Sequence, residues 1–165
     1  MKKTNILLII FMIIGTSLLG LSATDSVSIV PNVGIGMYQL NVPFQMLEEA
    51  VGQPDEILKV QDDIALLIYN KDNIQVLLGL NKSEDEVLSQ TLAIRTENPS
   101  HITSTGNLHV GDTVDTLIKV MGKPDKVINE QGLLQYVYSQ RYVITIDHNK
   151  IGGIIVWYTK PTTSI

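Results

Sequence analysis

Gly111-Asp-Thr-Val-Asp-Thr-Leu-Ile-Lys-Val-Met-Gly-Lys-Pro-Asp125 decides how this chain is read. Val114, Leu117 and Met121 form an apolar stripe at helical spacing, i, i+3 and i+7. Asp112 or Thr113 can cap the open N–H groups at the start, and Asp115 lies where the helix dipole favours an acid. Gly122 can adopt the backbone that ends a helix, and Pro124 prevents its resumption. Seventy residues earlier the design recurs as Asn41-Val-Pro-Phe-Gln-Met-Leu-Glu-Glu-Ala-Val-Gly-Gln-Pro-Asp55. There the helix runs from about Val42 to Val51, with Pro43 in its first turn and Phe44, Leu47 and Val51 as the stripe. Asp55 and Asp125, each after a proline, are expected to cap the turn that follows.

Runs of strand-forming residues follow each helix. In the first half they are Ile64–Tyr69, Ile74–Leu78 and about Leu88–Arg95. In the second they are Leu133–Tyr138, Tyr142–Ile146 and Ile154–Tyr158. Short connectors such as Asn70-Lys-Asp-Asn73 and Ser139-Gln-Arg141 are of hairpin length. The expected fold is therefore α+β. Two tandem units, each a helix plus a three-stranded antiparallel meander, share one sheet with two short helices on one face. One helix over three strands buries too little to stand alone, so the units must pack together.

The expected domains are a signal peptide or anchor at 1–23, a first repeat at 24–97, a polar linker at 98–106 and a second repeat at 107–160. Met1-Lys-Lys-Thr-Asn precedes an apolar run from Ile6 to Leu21, which reads as a secretory signal cleaved after Ser22 or Ala23. The run falls between a signal core and a membrane-spanning helix in length, so a retained anchor is the alternative. Either way the folded part is extracytoplasmic, secreted or periplasmic. With no cysteine, disulfides and thiolate chemistry are excluded. Removing residues 1–23 lowers the basic residues from twelve to ten against seventeen acids, for a mature charge of −7. Such a body suits neither nucleic acid nor an anionic membrane surface. Contact with a membrane would come only through the uncleaved N-terminal segment.

Asn32-Val-Gly-Ile-Gly36 reads as a tight turn or a close backbone approach, and lacks the third glycine of a phosphate-binding loop. With the helix ending in Gly-x-Pro-Asp and the strands after it, this stretch resembles small exported bacterial proteins of unassigned function. Their repeat unit is similar to the β-lactamase inhibitor protein and to the SmpA/OmlA outer-membrane assembly lipoproteins. The likeness covers residues 33 to 158, and this chain has no cysteine to carry the lipid of the latter group. What the resemblance implies is binding of another protein on a sheet face, without chemistry.

No catalytic constellation is expected. His101, His109 and His148 fall in a linker, a strand edge and a turn, and no Gly-x-Ser-x-Gly is present. The acid clusters Asp62-Asp63 and Glu84-Asp85-Glu86 lack the alternating oxygens and glycine of a calcium loop, so no metal and no cofactor are expected. The strands of the second half are more informative. Alternation puts Leu134, Tyr136, Tyr138, Tyr142, Ile144 and Ile146 on one face, under the helices. Gln135, Val137, Val143, Thr145 and Trp157 fall on the other, part apolar and part polar, and form the candidate protein-binding face. The expected function is a non-enzymatic protein-binding module of the cell envelope or extracellular space. The alternative is a structural envelope protein held by its N-terminal helix.

Overall fold

The computed structural model of the protein describes residues 26–82, 87–130, 132–139 and 142–158. The apolar run Ile6–Leu21 and the acids Glu84-Asp85-Glu86 lie outside them. Among the described residues no helix is long and apolar enough to cross a membrane.

The fold is α+β. Strands β1 (Val27–Val30), β2 (Gly34–Ile35) and β3 (Tyr38–Gln39) come first, then helix α1 (Phe44–Val51). Four strands follow: β4 (Glu56–Gln61), β5 (Ile64–Tyr69), β6 (Ile74–Lys82) and β7 (Val87–Thr96). Strand β8 (His101–Thr103) leads to helix α2 (Val114–Met121). The last four are β9 (Lys126–Glu130), β10 (Leu133–Tyr138), β11 (Tyr142–Asp147) and β12 (Lys150–Trp157). Eight strands form one antiparallel sheet in the order β4-β5-β6-β7-β12-β11-β10-β9. The last strand after each helix thus meets its counterpart at the centre, Thr96 opposite Ile154 and Ala93 opposite Trp157.

Three expectations need correction. Each helix is followed by four strands, not three. The additional ones, β4 and β9, are the sheet's outer strands and are mostly exposed, so they carry charged and amide residues in place of a clear apolar alternation. There is also a second sheet, four-stranded, in the order β3-β2-β1-β8. Finally, 98–106 is not merely a polar linker. His101–Thr103 pairs parallel with Val27–Ile29, and both His101 and Thr103 are buried. A pairing across more than seventy residues leaves no mark on local periodicity.

Both helix stripes bury as their spacing requires. Leu47 and Leu117 are fully buried, Val114 nearly so, and Phe44, Val51 and Met121 pack against the same core. That core includes Leu67, Val76, Ile94, Tyr138, Tyr142, Ile144 and Val156 on one face of the large sheet, together with Ile29, Ile35 and Tyr38 from the small one. Thr113 is the cap of α2, its Oγ1 accepting from the Thr116 N–H at 3.2 Å. Pro43 starts α1 without a side-chain cap. Both helices end at a glycine with positive φ and extended ψ, Gly52 at 86° and −176° and Gly122 at 79° and −168°. This region is essentially closed to residues with a β-carbon.

Asp55 and Asp125 do not cap the adjacent turn. Each carboxylate accepts from a backbone N–H 14 or 15 residues further on, Asp55 from Asn70 at 2.7 Å and Asp125 from Ser139 at 2.5 Å. Each therefore ties the end of a helix exit to the hairpin after the next strand but one. Tyrosines fasten the small sheet. Tyr38 Oη donates to Asp72 Oδ2 at 2.6 Å, with its ring edge-on to Tyr69, while Tyr142 Oη donates to the Ile29 carbonyl at 3.2 Å. At Gly34, with φ 145°, a β-carbon would sit 2.0 Å from the Tyr38 carbonyl oxygen, the close backbone approach expected of this stretch.

Candidate functional site

Hydrogen-bond register places the five candidate residues on one face of the large sheet. Val137 lies opposite Val143, and Gln135 opposite Thr145. Trp157 lies opposite Ala93, one strand further on. This face has its own apolar cluster of Leu66, Ile68, Leu77, Ala93, Val143 and Ile155, with Val137 and Trp157 partly buried against it. The helices and the small sheet contribute to the other cluster only.

The face is less open than alternation suggests. Gln135 is 0% exposed, Thr145 2% and Val143 3%, leaving Val137 and Trp157 as the more accessible of the five. The Gln135 side-chain amide is buried without a hydrogen-bond partner at either Oε1 or Nε2. An amide in that state is destabilising by about 1–3 kcal/mol, so it calls for a functional account. Thr145 is satisfied locally, its Oγ1 donating to the Gly153 carbonyl at 3.2 Å across a bulge in β11 and β12.

Sequence reasoning missed a charged group beside these residues. Arg95, 5% exposed, projects from β7 onto the same face and pairs through Nη2 with Glu97 Oε1 at 2.5 Å. Its Nη1 also lies 3.4 Å from Gln75 Oε1. Burial lowers the Arg95 pKa, and the Glu97 charge and hydrogen bond work against that shift. Gly153 makes room for the guanidinium, since a β-carbon there would sit 2.8 Å from Thr145 Oγ1 and 3.2 Å from Arg95 Nε. The one available signal was an arginine directly after the apolar run Leu92-Ala93-Ile94 of a strand. Its register beside Glu97 and over a glycine of a distant strand exists only in the folded sheet.

At the β4 end of this face is a cavity of about 250 Å³, lined among others by Glu56, Leu58, Ile68, Gln75, Arg95 and Glu97. The histidines serve other ends. His101 is buried with Nδ1 2.7 Å from Thr96 Oγ1, and burial lowers its pKa. His109 sits 3.5 Å from Asp112, and exposed His148 sits 2.7 Å from its neighbour Asp147. Among the described residues no group of three acids or histidines is placed to hold a metal ion.

No protein-family model matches this chain, and no curated protein matches it. Two solved structures are similar to it. One is a DUF4309 family protein from Bacillus subtilis, 16% identical, covering 74% of this chain and 82% of its own, with a TM-score of 0.45. The other is an extracellular protein containing an SCP domain from Bacillus anthracis, 9% identical, with a TM-score of 0.48. It covers 86% of this chain, which spans about half (49%) of its length. These comparisons do not show the expected likeness to the β-lactamase inhibitor protein or to the assembly lipoproteins.

Proposed function

We propose that this chain is an exported, non-enzymatic module that binds another protein through the sheet face carrying Gln135, Val137, Val143, Thr145 and Trp157. In this reading the two helix-and-meander units are one repeated design, and the place of action is the cell envelope or the extracellular space. The observation that supports it is the second apolar cluster, on the face to which neither the helices nor the small sheet contributes. Val137 and Trp157, the more accessible of the five, give an apolar and aromatic surface of the kind found in interface cores, with Gln135, Val143 and Thr145 buried beneath it.

Trp157→Ala tests the reading. The variant should keep its cooperative unfolding transition and lose capture of its partner from envelope extract. A variant that simply unfolds would make Trp157 core and remove the proposed face. The apolar length of Ile6–Leu21 favours a second reading, a structural protein anchored by that segment. N-terminal sequencing separates the two: a start at Ala23 or Thr24 supports export with cleavage, and an intact Met1 in the membrane fraction supports the anchor.

A further inference from the structure

Backbone register links the cavity to the candidate face. Glu56 lies opposite Ile68, Ile68 opposite Gln75, Gln75 opposite Arg95, Arg95 opposite Ile155, Ile155 opposite Val143 and Val143 opposite Val137. One row of side chains therefore crosses the sheet from the cavity to two of the five candidate residues. At about 250 Å³ the cavity falls below the ~300–1,000 Å³ of typical small-molecule sites, and its size suits one long side chain.

The lining selects the kind of side chain. Leu58 and Ile68 supply apolar wall, while Glu56, Glu97 and the amides of Asn70, Asn73 and Gln75 supply acceptors. Arg95 is the cation of the lining, but Glu97 pairs with it at 2.5 Å. Glu56 is exposed on an outer strand and has no ion pair among the described residues, so the lining keeps one uncompensated negative charge. An anion would meet two carboxylates and an arginine already engaged. A purely apolar chain would cover the walls and desolvate Glu56 without compensation. A lysine or arginine side chain satisfies both halves, its stem lying on Leu58 and Ile68 and its head reaching the carboxylates. The mature charge of −7 draws a basic partner to this surface as well.

We propose that this cavity is a socket for a lysine or arginine side chain presented by the partner protein. The inference rests on the protein-binding reading and specifies the chemistry of the partner's anchor.

The probe is N-acetyl-lysine-N′-methylamide, titrated into the isotope-labelled mature protein and followed by backbone amide shifts. Its norleucine counterpart, which lacks only the ammonium group, is titrated in parallel. The lysine compound should shift the amides of Glu56, Asn70, Gln75 and Glu97 saturably, and the norleucine compound should not. Glu56→Gln should weaken the lysine compound by about threefold, the size expected of one partly exposed ion pair, and salt at about 1 M should do the same. The socket is overturned if norleucine binds as tightly as lysine, if the shifts fall elsewhere, or if Glu56→Gln leaves the affinity unchanged. Glu56 is exposed, so its substitution does not threaten the fold. Trp157→Ala keeps the two readings apart. If the titration fails while Trp157→Ala abolishes partner capture, the socket falls and the binding face stands. If lysine binds while Trp157→Ala leaves capture intact, the face falls.

Discussion

The two faces of the eight-stranded sheet come from the same strands and are built to different rules. On the helix face, most buried hydroxyls reach partners, Tyr38 donating to Asp72, Tyr142 to the Ile29 carbonyl and Tyr138 to the Gly122 carbonyl, while the Tyr69 hydroxyl is buried without one. The opposite face buries Gln135 with both amide atoms unpartnered, and it carries an arginine–glutamate pair beside a cavity. Each face thus keeps a buried polar group without a partner, Tyr69 on one and Gln135 on the other, where an apolar residue of the same shape would be no less stable. The difference lies in what each face packs against: one carries both helices and the small sheet, and the other carries a separate apolar cluster, an ion pair and a cavity.

The largest effect that would break this comparison is on the helix face. Leu117→Ala removes a fully buried side chain of α2 and should lower stability by about 2–5 kcal/mol, read from urea denaturation. A loss below about 1 kcal/mol would mean that the helix packs loosely and that the two faces do not differ as described. On the other face the sign should invert. Gln135→Met should raise stability by about 1–3 kcal/mol, because it removes a buried amide that finds no partner. A destabilised variant would show that the amide is satisfied.

Smaller effects sharpen the picture. Thr113→Ala should cost about 1 kcal/mol by deleting the cap of α2, whereas α1, which begins at Pro43, has no equivalent cap to lose. The last test is pH. Burial holds the His101 pKa below its usual 6.5, with Asp72 opposing in part. The unfolded chain therefore takes up the proton first. The stability that neutral His101 provides is complete above about pH 6.5 and declines as the pH falls through that value towards the folded pKa. Thermal melts across this window should show the decline, and His101→Gln should flatten it.

The helix-face core also holds tyrosines with raised phenolic pKa values. Tyr69 and Tyr138, both packed in the helix-face core, are pushed up to about 12 by burial, with neighbouring charges adding to the shift. Their hydroxyls stay protonated at neutral pH, Tyr138 donating to the Gly122 carbonyl and Tyr69 serving as a packing group.

Much of this was legible in the chain. The stripes Phe44-Leu47-Val51 and Val114-Leu117-Met121, the glycine stops and the inner strands follow from spacing and backbone chemistry, which act over a few residues. Alternation alone sorted Gln135, Val137, Val143, Thr145 and Trp157 onto one face. The outer strands β4 and β9 were missed because an exposed edge is under little pressure to alternate. Strand β8 was missed because its partner, Val27–Ile29, is remote in sequence.

The sequence by itself determined the helices, their ends, most of the strands and the division of side chains between two faces. Each of these depends on 3.6- or 2-residue periods and on what glycine and proline permit. Only the tertiary structure decided that β7 meets β12 at the centre, that Asp55 and Asp125 hold distant hairpins, and that Arg95 lies over Gly153 beside Glu97. It also decided that Gln135 is buried without a partner. Those outcomes depend on which strands become neighbours, and strand pairing is a long-range choice that no local pattern encodes.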